Sequence, residues 1–481
     1  DTPRLQKQVL AYQTEKSNES GLYFCGAYLG NGFHEDGIVS ALKTVHGITN
    51  DDEHVPLVSS THRRSWYDNR LNQLAVPILT KMLSVFFEIG QVALWFPDYG
   101  IRFIENPTGS SIKLTIKDPA KLLWALIWRK DLGLMESLID ENLKPNSLDN
   151  FMDLLTQNYK SGDTNQETFM SRIGKISDYA SHLFKHNSVK NSKSNIEDHY
   201  DLSNDMYKLF LDDTMTYSSA YFTEETKINI LPENVDSVSL SDAQTRKYDK
   251  IIDKLNLRGS ETILEIGCGW GGFATRLSER YPDTKWSGVT LSKDQSAYAN
   301  AMLKDKPNHR DLQLEDYRTF ASTHAGKYDR VVSIEMIEAV GLEYLDTYFR
   351  AIGQVLSDDT NASAVIQAIT IPDHRMMVYK NSVDFIQAYI FPGGYCPSIG
   401  NIITSSSKAK LILESTENFS LSYAETLRRW NVVFKERWTD IKKLGFDEYF
   451  KRVWVLYFVY CQYGFQNNLI GVHHILLKPS K

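Results

Sequence analysis

The residues best equipped for chemistry stand in one short run, Glu265-Ile266-Gly267-Cys268-Gly269-Trp270-Gly271-Gly272. A short apolar segment, Thr262–Ile266, leads into it, and a helical pattern, Phe273–Arg280, leaves it. Glycines lack a Cβ, so a ligand can approach the backbone, and the first turn of a helix offers N–H groups with no partner inside the helix. Such a loop suits a nucleotide-like cofactor. The spacing is not that of the dinucleotide fingerprint G-x-G-x-x-G. The third glycine falls one place early, at Gly271, and the acid, Glu265, lies inside the strand rather than after the next one. A tight strand–helix turn without a ligand is the alternative reading. Cys25, Cys268, Cys396 and Cys461 form no CxxC pair, so neither a disulfide framework nor a metal site is expected.

A loop of this kind needs a sheet to hold it. From about residue 240 the pattern alternates strand, loop and helix. Strands are predicted at Thr262–Ile266, Lys285–Val289, Asp311–Leu314, Tyr328–Ile334 and Ala364–Ile371, with a helix at Asp294–Leu303. Alternation of this kind predicts an α/β fold, a Rossmann-like parallel sheet covered on both faces. Phe385–Tyr395 and Phe419–Tyr463 are aromatic and helical in pattern, and read as a cap outside the sheet. Upstream, Val92–Phe96, Ile101–Glu105 and Ile112–Lys117 read as antiparallel strands, and Asp118-Pro119 as a helix start. They form a small α+β unit ending in helices near Tyr159. Residues 51–70 and 160–195 read as linkers.

The chain has 481 residues, room for two to four domains, and 42% of them are hydrophobic. Its net charge of −7 excludes a globally basic nucleic-acid binder. The most apolar stretch, Leu74–Phe96, is interrupted by Lys81, Glu88 and Gln91. Val76, Leu79, Leu83, Phe86 and Phe87 make one helical stripe there, which reads as a helix packed on a core or lying on a bilayer. A cytoplasmic protein, peripheral on a membrane, is expected.

Glu-x-Gly-x-Gly resembles motif I of S-adenosylmethionine-dependent methyltransferases. Further ordered blocks narrow the resemblance: His199–Asp205, Met215–Phe222, Val289–Ser292 with Gln295, Glu315–Arg318, Ser333–Gly341, Tyr389–Gly394 and Tyr423–Trp430. Together they resemble the cyclopropane-fatty-acyl-phospholipid synthase family over about residues 195–481, nearest its plant-like branch, where Glu-Ala-Val-Gly replaces Glu-His-Val-Gly. The small α+β unit resembles that family's N-terminal domain more weakly. The implied reaction begins when the π bond of a cis-unsaturated phospholipid acyl chain attacks the cofactor's methyl group. A base then removes a proton from the new methyl, and a cyclopropane closes. Methyl- or methylene-branching of the chain is the near variant. N-methylation of a small amine is a more distant one, and a non-enzymatic binding partner of an oxidase a third.

The resemblance also implies residue roles. Tyr217 and Ser218 would meet the methionine end of S-adenosyl-L-methionine, and Glu265, Gly267, Cys268, Gly269 and Gly271 would form the cradle. Thr290, Leu291 and Gln295 would surround the ribose. Glu315 and Asp316 would face the adenine, or else form a solvated turn. The family's base is a bicarbonate held by a Cys, a Glu, a His, a backbone contact and a Tyr. Glu338 and Tyr423 match two of these. Ser219 stands at the Cys position, Gln367 at the His position, and Ile369 at the backbone contact. Ser and Gln can hydrogen-bond an oxyanion, but neither is a charged imidazole. Bicarbonate is therefore expected to bind more weakly or be replaced, with Glu338 as base. The aromatic cap, from Trp430 to Phe458, would line an acyl slot or simply form core, and Lys442, Lys443, Lys451 and Arg452 would meet lipid head groups or solvent. The family also implies a homodimer.

The opening stretch Tyr23–Gly37 resembles the last segment of a flavin-dependent amine-oxidase-type domain. Residues 1–50 would be its remnant, 51–190 the lipid-side domain and linker, and 191–481 the catalytic domain. With no dinucleotide loop ahead of it, no FAD is expected. Because Asp1 falls inside the oxidase-like stretch, the natural protein is expected to extend upstream.

Overall fold

The protein is described here by a computed structural model. It describes residues 66–106, 109–161, 204–222, 230–232 and 234–480. The oxidase-like stretch, residues 160–195 apart from the first two, and His199–Ser203 lie outside them. The chain divides into two compact units, Asp1–Pro77 and Ile78–Lys481. In the first, the expected linker gives way to helix at its end: a helix runs Trp66–Phe86, so residues 66–70 are helical.

The second unit holds two sheets. The small one comprises β1 (Gln91–Phe96), β2 (Gly100–Ile104), β3 (Ser111–Ile116) and β4 (Leu143–Pro145), in the order β2-β1-β3-β4. Alternation makes one face apolar, with Val92, Leu94, Phe96, Ile112, Leu114 and Ile116 buried. One expectation fails here. β1 and β2 are antiparallel, but β1 and β3 run parallel, because β2 is an edge hairpin strand and the return passes to the other side of β1. Helix Pro119–Ile139 follows, with Asp118 capping it by accepting from Lys121 N–H at 2.9 Å.

The large sheet is β10-β11-β9-β8-β5-β6-β7, with β5 (Thr262–Ile266), β6 (Lys285–Thr290), β7 (His309–Leu314), β8 (Arg330–Ile334), β9 (Ser363–Thr370), β10 (Leu411–Asn418) and β11 (Gly471–Pro479). The five strands expected from the sequence pair in parallel, β9-β8-β5-β6-β7. Two more, β10 and β11, extend the sheet antiparallel beyond β9. They were missed because β10 is largely exposed polar sequence and β11 follows the helical cap without a clear turn signal. Order reverses at β5, whose neighbours are β8 and β6. Ligands of open α/β sheets bind at the carboxyl ends of strands at such a switch point.

The cap consists of helices Ser420–Glu436, Trp438–Lys443 and Glu448–Gln466. Trp430, Phe434, Phe450, Trp454 and Phe458 are buried, and ring contacts among them at 5.4–6.4 Å make an aromatic core. The four cations expected at lipid head groups or in solvent have local partners. Lys442 pairs with Glu448 and Lys443 with Asp440. Lys451 lies over the Trp438 ring, and Arg452 donates to Ile139 O. That last bond, with Tyr389 OH donating to Glu136 at 2.7 Å, ties the cap region to helix Pro119–Ile139. Among the described residues, no helix is long and apolar enough to cross a membrane.

Candidate active site

The loop after β5 turns through left-handed backbone at Gly267 (φ 79°), Gly269 (φ 51°) and Gly271 (φ 88°). A Cβ on Gly267 would lie 2.7 Å from Met336 Cγ, whereas one on Gly269 would meet nothing within 4 Å. The first glycine is therefore required by packing and the second leaves backbone open to a ligand. Gly271 begins helix Gly272–Arg280 as its N-cap.

A cleft of about 500 Å³ opens over this loop. Tyr217, Ser218, Glu265, Gly267, Cys268, Gly269, Thr290, Leu291, Gln295, Glu315 and Asp316 line it. Of the expected cofactor positions only Gly271 is absent from the wall. It turns away, toward Ala299. Glu265 is buried, accepts from Trp286 Nε1–H at 3.0 Å, and burial lifts its carboxyl to about 8. Asp316 is committed to Arg318, which bonds both its carboxylate oxygens at 2.6–2.8 Å. Among the described residues Glu315 has no such side-chain partner and is the freer acceptor. Thr290 Oγ1 donates to Gln295 Oε1 at 3.2 Å, so the two residues form one wall. An open glycine cradle with acids at either end fits a cofactor that carries an amino-acid end and a nucleoside end.

Ser218 is clamped from helix Leu240–Leu255, where Lys247 Nζ donates to its Oγ at 2.7 Å and Gln244 to its carbonyl at 2.9 Å. Lys247 is fully buried. Burial pulls its ammonium down to about 7, opposed by the charges of Glu335, Asp212 and Glu265.

Three of the five expected catalytic positions, Ser219, Gln367 and Tyr423, converge on a residue to which the sequence assigned no role, while the other two, Glu338 and Ile369, bond each other. Glu335 lines the cleft. Its carboxylate accepts from Ser219 N–H at 2.9 Å, Gln367 Nε2–H at 2.7 Å and Tyr423 O–H at 2.7 Å. Three of the residues expected to hold bicarbonate thus converge on a carboxylate built into the chain, Ser219 through its backbone N–H, while its hydroxyl donates to Ala220 O at 2.9 Å. Burial raises the Glu335 carboxyl, while those three bonds and Lys247 pull it back toward ionisation. The missed signal was an acid three residues before Glu338 in the block Ser333–Gly341.

Glu338 has a different setting. One oxygen accepts from Ile369 N–H at 2.5 Å. The residue as a whole is half-buried, yet its Oε2 is sealed from solvent and has no partner. Burial, then the Glu335 charge, raises its carboxyl to about 8, which favours its protonated form. Cys461 is buried and its thiol is pushed well up, which leaves it an apolar packing residue.

A stability effect follows. In the unfolded chain Glu338 titrates near the ordinary value of about 4.3. A raised folded value means that its contribution is fully present below that pH and is lost as pH rises through about 8. Glu338→Gln removes this loss. The melting temperature of the variant is expected to gain on the parent steadily from acid to alkaline pH, and a pH-independent difference would contradict it.

The profile described as mycolic acid cyclopropane synthetase matches residues 187–475, more than half of the chain. The chain belongs to this family. Among curated members it is 39% identical over 286 residues to tuberculostearic acid methyltransferase UfaA1 of Mycobacterium tuberculosis, covering 59% of this chain and 64% of that protein. It therefore spans less than two thirds of that relative's length. It is 32% identical to methoxy mycolic acid synthase MmaA3 of the same species over 96% of that protein, and 31% identical to cyclopropane-fatty-acyl-phospholipid synthase of Escherichia coli over 70% of it. The solved cyclopropane synthase MmaA2 from M. tuberculosis superposes with a TM-score of 0.51 at 29% identity, over 59% of this chain and 97% of that one. CmaA1, solved with SAH and CTAB, gives 0.50 at 29%, over 59% and 97%. The fold these structures share is the α/β methyltransferase fold expected from the sequence.

Proposed function

We propose that this family member transfers the methyl carbon of S-adenosylmethionine to the cis double bond of an unsaturated lipid acyl chain and closes a cyclopropane, with Glu335 as the base. The observation that carries this reading is the convergence of Ser219, Gln367 and Tyr423 on a carboxylate that faces the cleft. The cofactor supplies an electrophilic methyl group. The chain's part is to hold it over Gly267 and Gly269, to exclude water with the aromatic cap, and to take up a proton.

The three donors favour ionised Glu335, and a negative charge beside the electron-poor carbon stabilises it electrostatically. After methyl transfer, Glu335 accepts the proton from the new methyl group, and the released electron pair forms the third ring bond. This reading moves the base from bicarbonate or Glu338 to Glu335. Two carboxyls whose surroundings separate their protonation states divide into an ionised and a neutral partner. Glu338 is the neutral one and shields the site from a second negative charge.

A branched product needs the same cation and the same base. The 39% identity to a protein named tuberculostearic acid methyltransferase favours it as the second reading. The lipid is proposed to be a phospholipid of a membrane surface. Bicarbonate, a small-amine substrate, a homodimer and the upstream oxidase-like domain receive no support from the site geometry.

The test is incubation with methyl-labelled S-adenosylmethionine and liposomes of unsaturated phospholipid, followed by mass spectrometry of the acyl chains. A gain of one methylene unit with loss of the olefin and no branch gives the cyclopropane, and a branch-specific fragment gives the second reading. No mass gain on any unsaturated acyl lipid removes both.

A further inference from the structure

We infer that His474 is a positioning residue for the methyl-transfer centre, locking the Gln367 amide so that its NH2 end faces Glu335. This rests on the reading of Glu335 as base. His474 lies on β11, directly opposite Gln367 on β9, in the antiparallel register of the two strands.

An amide has a donor end and an acceptor end, so its neighbours decide how it is turned. Gln367 Nε2 stands 2.7 Å from Glu335 Oε1 and 3.4 Å from Ser219 O, both acceptors. Its Oε1 stands 2.9 Å from His474 Nε2. Turned the other way, the carbonyl oxygen would face a carboxylate oxygen with no proton between them. Nothing about Gln367 itself prevents that turn if Glu335 is protonated. His474 prevents it, because its Nε2–H can donate only to the carbonyl end. A locked NH2 end in turn favours the ionised form of Glu335, since it offers a hydrogen bond that the protonated acid uses less well.

The surroundings of His474 hold it in that state. It is fully buried, with the Phe419 ring at 4.4 Å and the Tyr221 ring stacked at 6.1 Å. Among the described residues its Nδ1 has no hydrogen-bond partner, which suits a bare lone pair and not a buried N–H. Lys247, Lys250 and Lys254 from helix Leu240–Leu255 add positive charge around it, Lys254 paired at 2.6 Å with Glu417, which lies across from His474 on β10, and a second proton is disfavoured. Glu335 itself is faced by Lys247, by Glu338 and by Tyr423. None of these three contacts the far end of the Gln367 amide in the bonds described, so the lock is specific to His474.

Nitrogen-15 NMR of the full chain labelled at histidine tests the lock directly, with His474→Gln used to assign the signal. The expected result is an Nε2–H tautomer with a bare Nδ1, unchanged between about pH 5 and 9, where an ordinary histidine titrates. An Nδ1–H tautomer, or titration in that range, overturns the proposal. In turnover assays, His474→Leu is expected to move the acid limb of the kcat profile up by about one pH unit. The KM for S-adenosylmethionine should stay unchanged. In a Gln367→Met background, the same substitution should no longer move the limb. An equal shift in both backgrounds means that His474 acts otherwise and also overturns the proposal. Normal turnover of Glu335→Gln would refute the base reading separately, while the tautomer measurement concerns His474 alone. If His474→Leu does not fold, the tautomer of the parent protein decides.

Discussion

Glu335→Gln is expected to lower kcat by about 10²–10⁴-fold, the range over which a positioned general base contributes. The amide keeps the size of the side chain but cannot take up a proton. It would also turn a donor toward at least one of Ser219 N–H, Gln367 Nε2–H and Tyr423 O–H, which now all point at the carboxylate. Glu338→Gln is expected to cost far less, no more than about tenfold, because the amide resembles the protonated acid that burial already favours there. Single-turnover transfer of labelled methyl measures kcat, and calorimetry with S-adenosylhomocysteine checks that both variants still bind. If the two losses were equal, or reversed, Glu338 would be the base. The pH dependence has a definite sign. Turnover needs ionised Glu335, so kcat falls as pH drops through its raised folded pKa.

Gly267→Ala is expected to weaken cofactor binding by about 5- to 150-fold, the equivalent of roughly 1–3 kcal/mol of backbone strain. Its φ of 79° is costly for any residue with a side chain, and the added Cβ would sit 2.7 Å from Met336 Cγ. Relief requires movement of the loop or of the segment after β8, and both line the cleft. Gly326→Ala is the control. It has a φ of 67°, but its Cβ would meet nothing within 4 Å and it is not part of the cleft wall. That variant should lose stability and keep binding. Unchanged affinity in Gly267→Ala would show that the ligand does not depend on this cradle.

Much of the centre was legible in the sequence because its signals are local. The glycine loop, the strand before it and the helix after it lie within twenty residues, and each follows from backbone sterics and hydrophobic period. Strand β5 begins and ends where the sequence placed it, at Thr262 and Ile266. The positions for Tyr217, Thr290 and Glu315 came from resemblance in ordered blocks, and the fold carries all three to one cleft.

What the sequence could not supply was the pairing of groups far apart in the chain. Ser219, Gln367 and Tyr423 reach Glu335 across 116, 32 and 88 positions of the chain. No local pattern says that their hydrogen bonds end on the same carboxylate. Glu335 and Glu338 have the same side chain three residues apart, and only the fold gives the first three donors and the second one. The parallel pairing of β1 with β3 and the insertion of β11 between β9 and β10 are likewise decided by tertiary packing, since strand period is the same in either direction. By itself, then, the sequence determined the Rossmann-like scaffold, the glycine loop and three of the residues around Glu335, but not Glu335 itself. The tertiary structure decided how each of its acids is held, because a carboxyl's tendency to ionise depends on the solvent and hydrogen bonds that only the fold brings to bear.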